Sequence, residues 1–179
     1  HKIALKIIEE ELGAPPNELF DEFPNSPIAS ASLGQVYKAR LKNNTYLAVK
    51  VQRPNLYFLI RRDIVILRLL STFLSPFLPL NIGVGIGEII DEFGKDLLKE
   101  IDYENEGKNA IKFANLFKSN PYVFIPRFEE KMSSKRVITT SWIEGVKLRD
   151  KKTLEQNNLI PGSFIKTCVI SGLQQLFEY

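Results

Sequence analysis

The sequence predicts an α+β fold in which an antiparallel sheet is combined with several helices. Residues 2–12 alternate apolar and charged positions at helical spacing, which is typical of an amphipathic helix. Two β-rich runs, 35–41 and 45–51, flank a short polar turn and predict a hairpin. The chain has 179 residues, of which 44% are hydrophobic, so it is long enough to bury a core around these elements.

Hydrophobic periodicity and turn signals predict the rest of the fold. Five further elements are expected: helices over 56–72, 87–118 and 163–178, and strands over 123–131 and 135–142. The order along the chain is therefore hairpin, helices, hairpin, connector and helix.

Charge and cysteine content argue against two kinds of site. The 24 basic and 21 acidic residues give a formal net charge of +3, and they are interspersed, so no nucleic-acid partner is indicated. The single cysteine, Cys168, cannot form an internal disulfide. One histidine and one cysteine also suggest no metal cluster within the chain, so no metal ligands are assigned. A reducing compartment fits these features best.

An apolar run from Ile64 to Ile86 contains a single charged residue, Arg68. Its hydropathy alone would suggest a membrane span. Prolines and glycines from Pro76 to Gly87 divide it into pieces too short to cross a bilayer as one helix. We therefore expect helices that are buried or face a membrane surface.

Residues 28–36, IASASLGQV, have the frame of the loop that covers nucleotide phosphates in protein kinases. In that frame an apolar residue opens the loop, small residues admit the phosphates, and a later apolar residue packs on the base. Ile28, Gly34 and Val36 occupy these positions. Ala29 and Ala31 stand where kinases have glycine, and because a Cβ makes positive φ costly, we expect a stiffer loop.

The second hairpin strand carries the lysine that such a loop requires. The chain reads Ala48-Val49-Lys50, with Lys50 fourteen residues after Val36. Lys50 is comparable to the V-A-I-K lysine that holds the α- and β-phosphates. The alternative is an ordinary surface hairpin with an exposed lysine, because short motifs recur by chance. The loop and the lysine together predict that Lys50 contacts phosphate, while Ile28, Val36 and Ala48 cover the base.

A lysine in a partly desolvated cleft needs a carboxylate partner. The segment 100–117 offers four acidic residues: Glu100, Asp102, Glu104 and Glu106. Glu106 lies on the inward apolar stripe of the predicted helix, whereas Glu104 falls about 160° away. We therefore predict that Glu106 pairs with Lys50. Glu100 and Asp102 would point to opposite sides of an unbroken helix, which argues against an acid/base dyad.

The stretch RVITTSWIEGVKL is typical of a kinase hinge, in which backbone groups at a strand end bind the adenine edge. In this interpretation Thr140 guards the back of the pocket, and the carbonyl of Ser141 and the N–H of Ile143 face adenine. Taken alone, the stretch is explained equally well by a plain strand end with a buried tryptophan.

Four motifs in order resemble the UbiB/AarF-like atypical kinases in their cyanobacterial and plastid form: IASASLGQVYKARL, LAVKVQRP, FGKDLLKEIDYENEGKNA and RVITTSWIEGVKL. The resemblance covers essentially the whole chain. It implies a protein-kinase-like N-lobe over 1–140, with an N-terminal helix and a helical insertion. A hinge over 141–145 and the start of a helical C-lobe over 146–179 would follow.

The resemblance also implies roles for individual residues. An alanine-rich loop replaces the glycine-rich one, the E-x-D motif falls on Glu100 and Asp102, and the helix glutamate falls on Glu106. With the catalytic pair Lys50 and Glu106, the implied nucleotide-contacting residues are Ile28, Ala29, Ser30, Ala31, Ser32, Leu33, Gly34, Val36, Ala48, Lys50, Ser141 and Ile143. ATP and Mg²⁺ are the implied cofactors.

Motifs that complete the chemistry in the family are missing from this sequence. There is no Lys-x-Gly-Gln motif, no Asp-Phe-Gly after the hinge, and the catalytic loop is expected just beyond Tyr179. Asp91-Glu92-Phe93-Gly94 precedes the hinge and is a chance match. We therefore expect a piece of a longer protein, with the catalytic base and the metal ligands outside it.

The preferred interpretation is the ATP-binding part of a UbiB-like kinase or ATPase associated with isoprenoid-quinone biosynthesis. Its expected location is the cytoplasm or the plastid stromal side, with peripheral attachment to a membrane and a quinone-pathway lipid or protein as partner. The alternative is a non-catalytic kinase-like module that binds lipid or a protein through the apolar stretch 64–90. Whether the protein is an enzyme stays open at this stage.

Overall fold

A computed structural model describes residues 1–75, 85–157, 159 and 161–177. Its helices are α1 (Lys2–Leu12), α2 (Pro16–Leu19), α3 (Leu56–Leu74), α4 (Ile86–Glu100), α5 (Tyr103–Leu116), α6 (Lys151–Gln156) and α7 (Pro161–Phe177). Its strands are β1 (Ala29–Ser30), β2 (Gly34–Arg40), β3 (Tyr46–Gln52) and β4 (Val137–Ser141), and a 3-10 helix covers Glu130–Met132. The predicted hairpin is therefore confirmed to within a residue at each end.

The four described strands form one antiparallel sheet in the order β1-β2-β3-β4. Val36 lies opposite Lys50, and Lys50 lies opposite Ile138. Two residues before Lys50 on β3, Ala48 lies between Lys38 of β2 and Thr140 of β4. Because successive side chains of a strand point to opposite faces, these six residues share one face of the sheet. We call it the cleft face.

The opposite face of the sheet, the packed face, forms the main core with α1. Its central residues have almost no exposed surface: Tyr37, Ala39, Leu47, Val49, Val51 and Val137. Ile7 and Ile8 of α1 belong to the same buried cluster. The amphipathic pattern of residues 2–12 thus covers one side of the sheet and leaves the other available for a site.

Helices α3 and α4 pack against each other beside the sheet. Gly94 of α4 allows this close packing, because a Cβ at this position would lie 2.8 Å from a side-chain carbon of Ile64. The outer surface of α3 is rich in exposed large apolar side chains: Tyr57, Phe58, Leu59, Val65, Ile66, Leu67, Leu69, Leu70, Phe73 and Leu74. In the described part of the chain, no helix combines the length and apolarity that a membrane crossing needs.

The single helix predicted over 87–118 is wrong, since two helices occupy this region. Helix α4 ends at Glu100 and α5 begins at Tyr103. Asp102 between them has an extended backbone, and its side chain accepts hydrogen bonds from the N–H groups of Glu104 and Asn105. A side-chain cap of this kind starts a new helix, and the neighbouring Ile101 is buried in the core.

The strand predicted over 123–131 is also wrong. Only Phe128 forms an isolated bridge, to Thr140, and the 3-10 helix follows at once. Pro126 lies inside the apolar run, and a proline cannot donate to a strand ladder. The second predicted hairpin, over 123–142, therefore keeps only its second strand, β4.

Other differences are smaller. The sequence analysis did not predict β1 or the short helices α2 and α6. The final helix, predicted over 163–178, begins at Pro161 and is described as far as Phe177. The middle of the apolar run, residues 76–84, lies outside the described residues, as do the breaks predicted there.

Candidate nucleotide-binding site

Lys50 and Glu106 form an ion pair at the centre of the cleft face. The Nζ atom of Lys50 donates to both carboxylate oxygens of Glu106, at 3.1 and 2.8 Å. The side chains are 34% and 42% exposed, so the pair can be reached from solvent. The ammonium also lies 4.5 Å from the ring centroid of Tyr103, within cation–π range. The predicted pairing of these two residues is therefore present.

An open cleft of about 490 Å³ lies beside this ion pair. Its lining is polar, with residues from β3, α4 and α5: Lys50, Asp96, Lys99, Glu100, Asn105, Glu106 and Asn109. Charged groups of both signs and two amides thus surround a space that is large enough for a small polar ligand. Among the described residues, no group of three or more His, Cys, Asp or Glu side chains is arranged to hold a metal ion.

The loop between β1 and β2 is held by hydrogen bonds within the loop and from Arg53. The N–H of Ala31 donates to the carbonyl of Gly34 at 2.9 Å. Arg53 makes two hydrogen bonds to the loop. Its backbone N–H donates to the carbonyl of Leu33 at 3.0 Å, and its side-chain Nε donates to the carbonyl of Ala31 at 3.1 Å. The Leu33 side chain packs against a second apolar cluster, which is formed by Leu56, Ile60 and Ile101.

No residue from 28 to 36 has a positive φ. Ala29 and Ala31 therefore adopt backbone conformations that any residue accepts, and the stiffer loop expected from their Cβ atoms stays a prediction. Gly34 is needed for a different reason. A Cβ there would lie 2.7 Å from the carbonyl oxygen of Val51 and 3.0 Å from the Tyr103 hydroxyl, so the loop can approach β3 and α5 only with glycine at this position.

The end of β4 leads into the stretch predicted as a hinge. The N–H of Ser141 donates to the carbonyl of Arg127 at 2.8 Å, and the Ser141 hydroxyl accepts from the N–H of Arg127 at 2.9 Å. The N–H of Trp142 donates to the carbonyl of Tyr46 on β3. Thr140 lies opposite Ala48 on the cleft face, and Ile143 is exposed.

Comparison with known families agrees with this geometry. The model of the ABC1 atypical kinase-like domain matches residues 1–179, which is the whole chain. The chain belongs to the ABC1 family. The resemblance inferred from the four motifs is thereby confirmed, and the sheet with its helices is a kinase-like α+β fold.

Relatives in this family come from cyanobacteria, plants and animals. A protein of Synechocystis is 43% identical over 99% of this chain. The protein ACTIVITY OF BC1 COMPLEX KINASE 1, chloroplastic, of Arabidopsis thaliana is 37% identical over 100% of it, and the AarF domain-containing protein kinase 1 of Xenopus laevis is 34% identical over 87%. The chain spans 31%, 26% and 29% of their lengths, respectively.

A solved structure shows the same fold. The Mycobacterium tuberculosis protein Rv3197, determined in complex with erythromycin, superposes with a TM-score of 0.68 at 29% sequence identity. The match covers 83% of this chain and 37% of that one. This ABC1-family chain therefore corresponds to part of a larger kinase-like protein.

Glu100 and Asp102, the two acids of the predicted E-x-D motif, have different environments. Asp102 caps α5 and therefore sets where the helix that carries Glu106 begins. Glu100 ends α4 and lines the cleft. Gln52 ties this junction to the sheet, since its amide donates to the carbonyl of Ile101 at 2.7 Å. The structure thus brings Glu100 to the cleft and uses Asp102 to build the helix start.

Tyr103 and Arg53 are site residues that the sequence analysis missed. Tyr103 is fully buried beneath Lys50, and burial together with the nearby Glu106 charge raises the pKa of its hydroxyl well above the usual value. Nothing in local periodicity sets either residue apart. In the sequence, Arg53 marks only the end of a strand before Pro54. The contacts of Tyr103 and Arg53 arise from the tertiary fold.

Proposed function

We propose that this chain forms the ATP-binding part of an ABC1-family kinase or ATPase. The observation that supports this most strongly is the Lys50–Glu106 ion pair, seated above the Tyr103 ring and next to a tight loop of small residues. In kinases a strand lysine paired with a helix glutamate is the arrangement that positions the nucleotide phosphates. The proposal includes an N-lobe over 1–140, a hinge over 141–145 and a C-lobe beginning at 146.

The residues of the cleft face suit a nucleotide. Val36 and Ala48 are small and partly exposed, so with Ile28 they would cover the base. Residues 29–34 would lie against the phosphates, and Lys50 would place a positive charge on them. The carbonyl of Ser141 and the N–H of Ile143 would meet the edge of the base.

ATP would supply the phosphoryl group that is transferred or released. Glu106 would hold the Lys50 ammonium in place both before and after the nucleotide binds, and Tyr103 would restrict the same ammonium from below. These side chains come from elements fixed by the Asp102 cap and by the Gln52 hydrogen bond. We propose that the catalytic base and the ligands for Mg²⁺ come from other parts of a longer protein.

We also propose that the whole protein acts in isoprenoid-quinone metabolism, on the cytoplasmic or plastid stromal side of a membrane. Family membership supports this proposal, as do relatives that are named chloroplastic. The substrate would then be a quinone-pathway lipid or a protein bound to that surface.

A thermal-shift titration with ATP and ADP, with and without magnesium, tests the ATP-binding proposal in the longer protein that carries this chain. We expect ATP to raise the melting temperature of the parent and of Lys108→Met, which removes an exposed lysine of α5. Lys50→Met should show little shift. An equal shift in Lys50→Met and the parent would contradict the proposal.

A second candidate function is a non-catalytic module that binds lipid. The exposed apolar surface of α3 favours it, since Phe58 and Phe73 are 73% and 72% exposed and large exposed apolar patches mark interaction sites. Liposome flotation of Leu69→Glu, Phe73→Glu and Lys50→Met would separate the two functions. Flotation that is lost in the first two variants, with ATP binding absent from the parent, would favour this second function.

A further inference from the structure

A cluster of four side chains joins the sheet to the predicted hinge, residues 141–145. The Lys38 ammonium of β2 lies 2.6 Å from the Glu144 Oε1 atom. The Trp142 indole N–H donates to the same oxygen at 2.7 Å. The ammonium also lies 4.7 Å from the ring centroids of both Trp142 and Tyr46. We call these four residues the hinge cluster.

The hinge cluster links parts of the chain that are far apart in sequence. Lys38 and Glu144 are separated by 106 positions. The backbone adds a further link, because the Trp142 N–H donates to the carbonyl of Tyr46 at 3.0 Å. Residues 142–144 are therefore bound to both strands of the hairpin. Glu144 is bound to the Lys38 side chain of β2, and Trp142 is bound to the main chain of β3.

The hinge cluster is stabilised by the arrangement of its hydrogen bonds and aromatic rings, and not by burial. The Glu144 side chain is 78% exposed, and an exposed ion pair by itself stabilises little. However, Lys38 is enclosed between two aromatic rings, which restricts its rotamers, and the single oxygen of Glu144 receives two donors. The hydrogen bond from Lys38 and that from Trp142 together lower the pKa of Glu144, so the carboxylate stays ionised at neutral pH.

The position of the cluster connects it to the proposed base site. Lys38 lies directly opposite Ala48, one of the residues proposed to cover the base. Ile143, whose N–H is proposed to meet the base edge, stands between two members of the cluster, Trp142 and Glu144. Fixing the side chains on both sides of Ile143 restricts the direction of its N–H.

We propose that Lys38 is a positioning residue for base recognition, acting through Trp142 and Glu144 to fix the backbone of Ile143. This inference rests on the proposed ATP-binding function and adds to it the origin of base selectivity. If Lys38 had a merely structural role, its loss would reduce stability or weaken the binding of all nucleotides alike. A positioning role predicts a selective loss of adenine recognition, because the phosphate contacts lie elsewhere, at Lys50.

The test compares dissociation constants for ATP, inosine triphosphate and tripolyphosphate in the longer protein that carries this chain. Inosine has a carbonyl where adenine has its amino group, and tripolyphosphate has no base. The variants are Lys38→Met, Glu144→Gln and the conservative Lys38→Arg, which retains a cation able to stack on aromatic rings. The matched control is Lys95→Met, which removes an exposed lysine paired with Glu92.

In Lys38→Met and Glu144→Gln we expect the ATP dissociation constant to rise by about three- to tenfold. The constants for inosine triphosphate and tripolyphosphate should change by less than about twofold. Lys38→Arg and Lys95→Met should keep the parent ratios. Glu144→Gln is a surface change, so its folding is not in question, and melting curves recorded beside the titrations check the other variants.

An unchanged ratio of ATP to inosine triphosphate binding in Lys38→Met and Glu144→Gln would overturn this inference alone, whether all the affinities stay at the parent values or all fall equally. A parent protein that binds none of the ligands would overturn the proposed function as well. The two failures are thus distinguished by whether the parent binds ATP.

Discussion

The two faces of the sheet are built from alternating residues of the same strands, yet they are covered very differently. On the packed face, Leu47 and Val49 are sealed by α1 and have no exposed surface. On the cleft face, Ala48 and Lys50 remain partly exposed. The packed face is apolar at its centre, whereas the cleft face carries two lysines.

This difference assigns separate roles to the two faces of one hairpin: stability to the packed face and the proposed ligand binding to the cleft face. Each lysine of the cleft face has a carboxylate partner from a distant part of the chain: Glu106 for Lys50 and Glu144 for Lys38. Residues of the packed face are held by burial, which contributes about 1.5–3 kcal/mol for each large apolar side chain. Changes on the packed face should therefore act on folding, and changes on the cleft face should act mainly on binding.

The largest expected effect on stability comes from the packed face. Leu47→Ala removes a fully buried side chain and should lower the free energy of unfolding by about 2–5 kcal/mol. Thr140→Ala, a truncation on the cleft face, should cost less than about 1 kcal/mol. Urea denaturation of both variants measures the difference. Equal losses would mean that the two faces do not divide these roles.

An intermediate effect is expected where the cleft face is closed by α5. Gly34→Ala places a Cβ against the backbone carbonyl of Val51 and the Tyr103 hydroxyl, and it should cost roughly 1–3 kcal/mol of stability. Ala31→Gly in the same loop is the control, and it should change stability by less than about 1 kcal/mol. Gly34→Ala with the stability of the parent would show that the loop does not need this close approach.

The smallest expected effect is at the edge of the packed face, where Glu11 of α1 binds Arg136 at 2.6 Å. Burial alone would raise the pKa of Glu11, but the hydrogen bonds that Arg136 donates to its carboxylate and the charge of Arg136 outweigh burial and lower the pKa below the ordinary 4.5. The stability gained from this pair is therefore complete above the unfolded pKa and is lost as the pH falls through the folded value.

Glu11→Gln should consequently destabilise the protein by about 0.5–1 kcal/mol at pH 7. It should also reduce the loss of stability between about pH 5 and pH 3. Urea midpoints recorded across that range measure both effects. A pH dependence identical to that of the parent would show that the Glu11 carboxylate does not contribute.

Sequence reasoning succeeded where the information was local. Helical spacing on α5 selected Glu106 over Glu104, because both residues belong to one regular helix whose inward stripe can be read from the sequence. The hairpin followed from alternation and a polar turn. The frame around Gly34 and the lysine at a fixed spacing from Val36 then identified the region of the candidate site.

The rest depends on contacts that the sequence does not display. Asp102 caps the start of a new helix, and Ile101 beside it is buried. Neither fact follows from the periodicity of residues 87–118. Gly34 is needed because Val51 of β3 and Tyr103 approach its Cα closely. Its place in the loop motif suggests instead that glycine is needed for backbone flexibility. Lys38 and Glu144 meet only because the end of β4 lies beside β3.

The central claim is that Lys50 and Glu106 act as one unit in binding the nucleotide phosphates. Its most direct test is a double-mutant cycle of ATP dissociation constants in the longer protein that carries this chain, with Glu104→Gln as the control on the same helix. Lys50→Met and Glu106→Gln should each weaken ATP binding at least about tenfold, and the double variant should be within about threefold of the weaker single variant. Parent-like ATP affinity in Lys50→Met, or fully additive losses in the double variant, would contradict the claim.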